Sequence, residues 1–519
     1  MSERGVPRGL AAACVGAGLV TFAIGALDCL NFAVDDSFIS LRYAENWAHG
    51  LGLVFNPGER VEGFSNLLWT LVLGALARSG LDQAHGPYTL LIAAKLLGAA
   101  LACLALLVLA WHVFTSARSA ASPARHPLAA LAVAGAGGTF SFALWSLSGM
   151  ETGLCTFLVT VAGVMMMRLL RRHDAGEQPS PAAALATGSA FGLLTLVRPE
   201  PVVIWGVTML LLFAAAPAPV RRTLIVAAIP TLLVFAAATL WRLGYYGEWV
   251  PNSVVAKSGG GLTYALLGIK YALAAVVGSI GVLALAAFAL PAIARLGLEA
   301  RFLVVYCMCH VAFVAVSGGD WMPGFRFLVP LLPLLWLLCT SASLELVRAF
   351  APALDARAVA LVFVGLAIAS MMNGRALARA QMEFPTGFKQ RTWVGAPERV
   401  TAARELAASL PAGSLVAIGE CGYIPYYAPG LCFLDVFGLM DKRIARLPGA
   451  HTHKLTLAEF LARDPDDYLM MTRLGPGGIV PSHPDGELLV AAPEFRARYH
   501  EVRTFPGFTL FARTAQASR

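Results

Sequence analysis

Charged residues are scarce in this chain. Of its 519 residues, only 13% are Asp, Glu, Lys or Arg, whereas 58% are hydrophobic. A soluble globular protein carries about 25% charged residues, so the composition excludes that class. Many apolar runs are long enough to cross about 30 Å of hydrocarbon. The sequence therefore predicts a polytopic α-helical membrane protein.

Several motifs are also missing. No basic run with interleaved aromatic residues accompanies the formal net charge of +8, so we do not predict nucleic-acid binding. The nine cysteines form no CxxC pair and no zinc spacing, which argues against a structural zinc site. The glycine-rich run at 258–261 lacks the GK[ST] ending of a P-loop. No internal repeat of solenoid length is present.

About eleven apolar segments are predicted to span the membrane. With the N-terminus in the cytoplasm, arginines cluster at every predicted inner connection, as the positive-inside rule requires. The polar motifs then fall on the outer side. We therefore expect a protein of the bacterial inner (plasma) membrane with an extracytoplasmic active site. The predicted spans are 10–30, 88–114, 128–147, 152–169, 182–197, 201–215, 223–243, 264–292, 302–317, 325–342 and 359–372.

The composition changes near residue 373. The predicted membrane domain covers 1–372 and includes a first outer loop at 33–87. Beyond it, charge density rises and short apolar runs alternate with helical patterns, which is typical of an α/β domain. We predict such a domain, extracytoplasmic, at 373–519. Its predicted strands are 414–418, 431–435, 468–472 and 508–512, and its predicted helices are 401–410, 455–462 and 491–499. Whether its two cysteines, Cys421 and Cys432, form a disulfide stays open.

The first outer loop contains the most polar stretch of the N-terminal half, residues 34–66. Long loops held by a rigid scaffold often carry function. One of the adjacent carboxylates of Asp35 and Asp36 is a candidate general base towards an acceptor hydroxyl, with the other orienting it. Arg42 is seven residues from Asp35 and shares its face of a predicted helix, so it is a candidate for holding an anionic donor. Glu62 is a further substrate-binding candidate. The alternative is that the two Asp side chains only cap the helix.

Two further polar motifs lie on the predicted outer side. Arg198 and Glu200 flank a proline at membrane depth, where ionisable groups are functional candidates; a purely structural ion pair is the alternative. Lys257 lies in the run WVPNSVVAKSGGG. It is a candidate for holding a phosphate, and the alternative is an interfacial anchor whose stem covers apolar surface.

The motif SGGDWMPGFRF supplies the last candidates. Asp320, Trp321 and Arg326 are close together beside a glycine pair, which is typical of a lined cavity. We count them as substrate-binding candidates. No candidate set of metal ligands and no required cofactor follows from the sequence, although a divalent cation held by the adjacent carboxylates stays an open alternative.

These residues resemble the GT-C superfamily of integral-membrane glycosyltransferases, which use polyprenyl-phosphate sugars outside the cytoplasm. The acidic pair in the first outer loop of that superfamily is matched by Asp35 and Asp36. The segments DDSFISLRYAENWAHGLGLVFNPGERVEGFSNLLW and GGDWMPGFRFLVP are similar to the terminal β-arabinofuranosyltransferase family of mycobacterial cell walls. The resemblance implies a catalytic acid at one of the two Asp residues. It also implies donor-phosphate contacts from Arg42, Lys257 and Arg326.

The leading hypothesis is therefore a glycosyltransferase with a lipid-phosphate-linked donor. It would move a sugar, with arabinofuranose as the one that the resemblance suggests, from a polyprenyl phosphate to a hydroxyl of an extracytoplasmic glycan, lipid or protein. A transporter or flippase of a lipid-linked substrate is the main alternative, because outer acids and broken helices also suit transport. A scaffold whose α/β domain binds glycan without chemistry is the third.

Overall fold

The computed structural model describes residues 8–116, 122, 127–258, 261–278, 297–350, 356–383, 397–475 and 478–514. These residues are mostly helical and include one six-stranded sheet. The first helices are α1 (Arg8–Asp28), α2 (Asp35–Ala48), α3 (Leu67–Arg78), α4 (Thr89–Ser116), α5 (Leu131–Gly138), α6 (Phe140–Ser146), α7 (Thr152–Asp174), α8 (Pro181–Val197), α9 (Glu200–Ala215), α10 (Ala218–Tyr246), α11 (Asn252–Lys257) and α12 (Gly261–Gly278). The later helices are α13 (Leu298–Val316), α14 (Leu332–Phe350), α15 (Ala356–Glu383), α16 (Pro397–Ser409), α17 (Tyr423–Tyr427), α18 (Lys442–Ala445), α19 (Leu457–Arg463), α20 (Pro484–Ala491) and α21 (Pro493–Arg498).

The chain forms two compact units. The membrane unit contains Met1–Leu30, Lys95–Ala238 and Leu262–Met382, and the mixed unit contains Asn31–Ala94, Thr239–Gly261 and Glu383–Arg519. The whole of the predicted first outer loop, 33–87, is thus grouped with the C-terminal region. Helix α15 runs across the predicted domain boundary at residue 372, and the boundary stays a prediction.

Six helical segments among the described residues are long and apolar enough to cross a membrane, as expected of a multi-pass membrane protein. A seventh candidate consists of Pro127–Gly138 and Phe140–Ser146, which meet at a bend of 57°. The remaining apolar helices are shorter, so the predicted count of eleven stays a prediction; part of the predicted span 264–292 also lies outside the described residues. The six are Gly9–Asp28, Thr89–Ser116, Thr152–Asp174, Ala218–Tyr246, Leu298–Val316 and Arg326–Val347.

Close helix packing in the membrane unit depends on small residues. A Cβ atom on Gly18 of α1 would lie 2.4 Å from the carbonyl oxygen of Val133, and one on Gly137 of α5 would lie 2.1 Å from the carbonyl oxygen of Gly18. The two backbones therefore touch, which is the usual way in which membrane helices gain packing contacts without a hydrophobic driving force.

The sheet of the mixed unit contains the strands β1 (Leu415–Ile418), β2 (Cys432–Asp435), β3 (Asp467–Gly475), β4 (Gly478–Pro481), β5 (Tyr499–Phe505) and β6 (Phe508–Arg513). Their order is β2-β1-β3-β6-β5, with β4 paired to β3. Strands β1, β2 and β3 are parallel, whereas β6 is antiparallel to both β3 and β5. The α/β character predicted for the C-terminal region is confirmed, although β4 and β5 were not predicted.

The first loop is fastened to this sheet by buried polar side chains. The Asn56 amide donates to the carbonyl of Phe433 at 2.8 Å and accepts the Phe433 N–H at 3.0 Å. It therefore pairs with edge strand β2 as a further strand would. The Tyr43 hydroxyl donates to the carbonyl of Val61 at 2.6 Å and accepts the N–H of Gly63 at 3.0 Å, which fixes the loop after α2.

Candidate active site

Asp35 connects the start of α2 to the loop after β1. Its Oδ2 accepts the N–H of Gly422 at 2.9 Å, and its Oδ1 accepts the N–H of Tyr423 at 2.9 Å. A Cβ atom on Gly422 would lie 1.9 Å from the carbonyl oxygen of Asp35, so only glycine permits this approach. Both oxygens of the Asp35 carboxylate are thus used to hold the protein together.

Glu420 and Arg399 are two further members of this site that the sequence analysis missed. Arg399 Nη2 lies 2.7 Å from Glu420 Oε1, and both side chains are buried. Glu420 Oε2 is buried and has no hydrogen-bond partner among the described residues. The available signal was its position at the carboxyl end of a predicted buried strand, where α/β proteins place functional side chains.

The carboxylates outnumber the guanidinium in this cluster. Burial, followed by the charge of Glu420, raises the pKa of Asp35 to about 7. Arg399 and the Tyr423 amide act in the opposite direction, and the charge of Asp36 raises the pKa slightly further. Burial also raises the pKa of Glu420, against the effect of Arg399. Asp35 and Glu420 thus hold their protons to a higher pH than ordinary carboxyl groups do.

Asp36 differs from its neighbour in its partners. Both residues are partly exposed, but the Asp36 carboxylate has no hydrogen bond or ion pair with any residue that the structure describes. Its charge acts on both Asp35 and Glu420, so it belongs to the same cluster. Asp36 is therefore the carboxylate whose oxygens are available to a substrate. No group of three or more His, Cys, Asp and Glu side chains within the described ranges is arranged to hold a metal ion.

Arg42 is occupied by the protein itself. Its Nε donates to the carbonyl of Phe55 at 2.8 Å, its Nη2 donates to the carbonyl of Leu431 at 3.0 Å, and its Nη1 donates to the carbonyl of Pro425. The guanidinium also lies 5.1 Å from the centre of the Phe433 ring. This geometry favours a structural role over the predicted contact with a donor.

Glu62 is likewise paired within the mixed unit. Its Oε2 lies 2.5 Å from Arg242 Nε, and its side chain is 1% exposed. Burial raises the pKa of Glu62 to about 6, although Arg242 opposes this shift. The pair closes the loop after α2 onto the end of α10.

Lys257 is exposed at the end of α11 and has no hydrogen bond or ion pair in the part of the chain that the structure describes. Lys257 lies near His451. The pKa of the His451 imidazole is lowered to about 4, first by burial and then by the charge of Lys257. Lys257 thus offers its ammonium group to solvent at the surface of the mixed unit.

The other predicted residues lie together in the membrane unit. Arg198 Nη1 lies 2.5 Å from Glu151 Oε1, and its Nε pairs with Glu200. Arg326 Nε lies 2.6 Å from Asp320 Oδ2. Arg198, Glu200 and Arg326 line one cavity with Tyr306 and His310.

Trp321 follows Asp320 and is 73% exposed. An exposed indole beside an ion-paired cavity is available to a ligand or to lipid. The predicted substrate-binding residues are therefore divided between the two units: Asp35, Asp36, Arg42, Glu62 and Lys257 lie in one, and Arg198, Glu200, Asp320, Trp321 and Arg326 lie in the other.

Both cysteines of the C-terminal region are free thiols. Cys421 is buried and Cys432 is partly exposed. Burial raises the pKa of Cys421, which lowers the fraction of reactive thiolate. Of the two alternatives that the sequence leaves open for this pair, the structure has the unbonded one.

Two curated proteins are similar in sequence to this chain. The terminal β-(1→2)-arabinofuranosyltransferase of Corynebacterium glutamicum is 31% identical over 337 residues, which cover 58% of this chain and 46% of that protein. The protein of the same name from Mycobacterium tuberculosis is 31% identical over 237 residues, which cover 44% of this chain and 36% of that protein. The chain thus spans less than half the length of these relatives. The profile of a domain of unknown function (DUF8728) matches residues 388–518.

Solved structures share the fold. ArnT from Cupriavidus metallidurans bound to undecaprenyl phosphate superposes with a TM-score of 0.59 at 14% identity, covering 98% of this chain and 99% of that one. The Archaeoglobus fulgidus oligosaccharyltransferase in its apo form gives a TM-score of 0.52 at 14% identity, covering 88% of this chain and 69% of that one. The resemblance to terminal arabinofuranosyltransferases is therefore confirmed, and the fold is shared with ArnT and the oligosaccharyltransferase.

Proposed function

We propose that this chain is a membrane glycosyltransferase that moves a sugar from a polyprenyl-phosphate donor to a hydroxyl of an extracytoplasmic glycan, lipid or protein. The observation that carries the proposal is the carboxylate cluster at the start of α2. Within the described residues, Asp36 of this cluster is unpaired and partly exposed while Asp35 is held by two amides. The 31% identity to two terminal arabinofuranosyltransferases supports arabinofuranose as the sugar.

The proposed chemistry assigns a different task to each carboxylate. Asp36 accepts the proton of the acceptor hydroxyl while the hydroxyl oxygen attacks the anomeric carbon. The bond between that carbon and the phosphate oxygen breaks, and polyprenyl phosphate leaves with the electron pair. Asp35 and the Arg399–Glu420 pair fix the position of Asp36. They are positioning residues in this proposal.

The leaving phosphate requires positive charge. Lys257 is the proposed contact within the mixed unit, because its ammonium group has no carboxylate partner among the described residues. Arg42 and Glu62 are left out of the donor site, because their polar atoms are used within the fold.

The proposal includes a location in the bacterial inner membrane with the active site outside the cytoplasm. It is supported by the arginine-rich connections that are predicted to face inwards. Outer carboxylates then meet a donor whose lipid tail stays in the bilayer.

Turnover of a synthetic polyprenyl-phosphate arabinofuranose by the purified protein tests the proposal. We expect release of polyprenyl phosphate and glycosylation of an added acceptor. Asp36→Asn should lower turnover by about 10²–10⁴-fold, the usual contribution of a general base. Asp464→Asn is the matched control, because it makes the same chemical change at an exposed, positive-φ position that Asn tolerates.

Two outcomes would contradict the proposal. If Asp36→Asn turns over the donor at the wild-type rate, Asp36 is not the general base. Movement of the intact donor across vesicle membranes without release of polyprenyl phosphate would instead identify a flippase.

A further inference from the structure

Helix α10 ends next to an exposed apolar stretch of the mixed unit. It is one of the helices that are long and apolar enough to cross a membrane, and only 17% of its most apolar stretch is buried within the protein. Its 29 residues extend over about 43 Å, which matches the roughly 40–45 Å of a bilayer with its headgroup layers. The end of α10 at Tyr246 is therefore expected at the level of the headgroups of one leaflet.

The α11 segment, residues 249–257, exposes three large apolar side chains. Trp249 is 64% exposed, Val250 is 46% exposed and Val254 is 38% exposed. Trp249 follows the last residue of α10 by three positions, and three residues reach at most about 11 Å. Trp249 therefore cannot lie far from the headgroups.

The other side of the α11 segment is fastened to the sheet. The buried amide of Asn252 donates to the carbonyl of Gly438 at 2.9 Å and to the carbonyl of Leu439 at 2.8 Å, both in the turn after β2. Lys454 Nζ donates to the carbonyl of Val255 at 3.3 Å. The fold thus holds the segment in place from behind, with its apolar side chains on the outside.

The exposed residue types match the headgroup region of a bilayer. Tryptophan is enriched there, because its ring has an apolar body and a polar N–H. Val254 and Lys257 are three positions apart on α11, so they share a face of that helix. A lysine stem covers apolar surface while its ammonium group reaches the charged headgroups. Lys257 has no carboxylate partner within the described ranges, so its ammonium group is available to a lipid phosphate.

We propose that the α11 segment docks on the bilayer. Trp249, Val250 and Val254 enter the headgroup layer of the leaflet in which α10 ends, and Lys257 lies at the level of the lipid phosphates. Because Asn252 joins the segment to the turn after β2, docking also sets the depth of that turn. The inference does not depend on sugar transfer, since a flippase with this fold would dock in the same way.

Quenching of tryptophan fluorescence by brominated phosphatidylcholine tests the inference on the full-length protein in nanodiscs. The protein has ten Trp residues, so each signal is measured as a difference between variants. The fluorescence that Trp249→Phe removes should be strongly quenched by bromines close to the headgroups. Adding Val254→Trp to that variant should introduce a component that is quenched as strongly.

The matched control is Val502→Trp in the same Trp249→Phe background. It makes the same change at a position that is 53% exposed, on strand β5 at the sheet edge opposite β2. Its added fluorescence should stay unquenched. Melting temperatures equal to that of the wild-type protein would establish that all variants are folded.

Two results would overturn the inference. The first is an added component at position 254 that brominated lipid quenches no more than the component at position 502. The second is a component at position 254 that stays unquenched and changes its emission with protein concentration in detergent, which would identify a second copy of the chain as the occupant. Strong quenching confined to positions 249 and 254 would support docking whether or not the protein transfers sugar, so this result is separable from the proposed function.

Discussion

Replacing Asp35 by Asn removes a carboxylate that accepts two backbone hydrogen bonds, one from Gly422 and one from Tyr423. The Asn side chain has one acceptor oxygen, and its amide group turns a second donor towards the other N–H. One buried donor is then left without an acceptor. Asp36→Asn makes the same chemical change one residue later and loses no such bond.

The expected loss of stability follows from the number of hydrogen bonds that each substitution breaks. A buried donor left unsatisfied costs about 1–3 kcal/mol, so Asp35→Asn should lower the free energy of unfolding by that amount. Asp36→Asn should change it by less than about 0.5 kcal/mol, as for most surface substitutions. The two variants therefore separate the structural carboxylate from the one available to a substrate.

The pH dependence gives a second, independent measure. The pKa of Asp35 in the folded protein is raised to about 7 from an ordinary value of 3.8. The folded state then binds a proton more tightly than the unfolded state, so the contribution of Asp35 to stability falls as pH rises between these values. Asn has no such dependence. The difference in unfolding free energy between the wild-type protein and Asp35→Asn should consequently become smaller from pH 5 to pH 8.

Thermal unfolding of the purified variants in detergent, at pH 5 and pH 8, measures both effects. Equal melting temperatures for Asp35→Asn and the wild-type protein at both pH values would refute the assignment of the two backbone bonds. A deficit that widens towards pH 8 would refute the raised pKa.

Two remaining predictions concern the mixed unit. Arg42→Lys should destabilise the protein by about 2–4 kcal/mol, because Lys cannot reach three backbone carbonyls in the same geometry. In a titration, the folded fraction of Arg42→Lys should bind the donor with unchanged Kd. A tenfold higher Kd together with normal stability would instead indicate that Arg42 contacts the donor, as the sequence predicted. Intact-mass analysis of denatured protein after alkylation should give modification at both Cys421 and Cys432 without reductant, and modification only after reduction would reveal a disulfide.

The sequence predicted those helices and strands whose apolar pattern is visible in a short stretch of chain. The apolar runs identified the long helices, and the short buried runs identified β1, β2, β3 and β6. Strand β5 was missed because five consecutive residues between its buried ends are exposed, so it has no apolar pattern. The sequence pattern instead places its first residue in the preceding helix.

The candidate site was predictable only in part. Asp35 and Asp36 stand out because they are two acids directly after an apolar segment. Glu420 and Arg399 could not be assigned to the same site from the sequence, because the fold brings distant residues together. Asp35 and Tyr423, for example, are 388 positions apart and share a hydrogen bond. Arg42 was assigned to the donor because helical spacing reveals the face of a residue. It does not reveal which carbonyl groups will surround that residue.

The union of three distant chain segments in the mixed unit has a consequence for biosynthesis. Asp35 lies near the start of the chain, but its hydrogen-bond partners are synthesised only after residues 31–94 and 239–261 have been made. Contacts between such distant residues form late, because the intervening loop must close first. The carboxylate cluster can therefore be completed only after Gly422 and Tyr423 have been synthesised. A nascent or truncated chain would hold Asp35 without the loop whose amides bind it, so the arrangement of the cluster depends on synthesis of the C-terminal region.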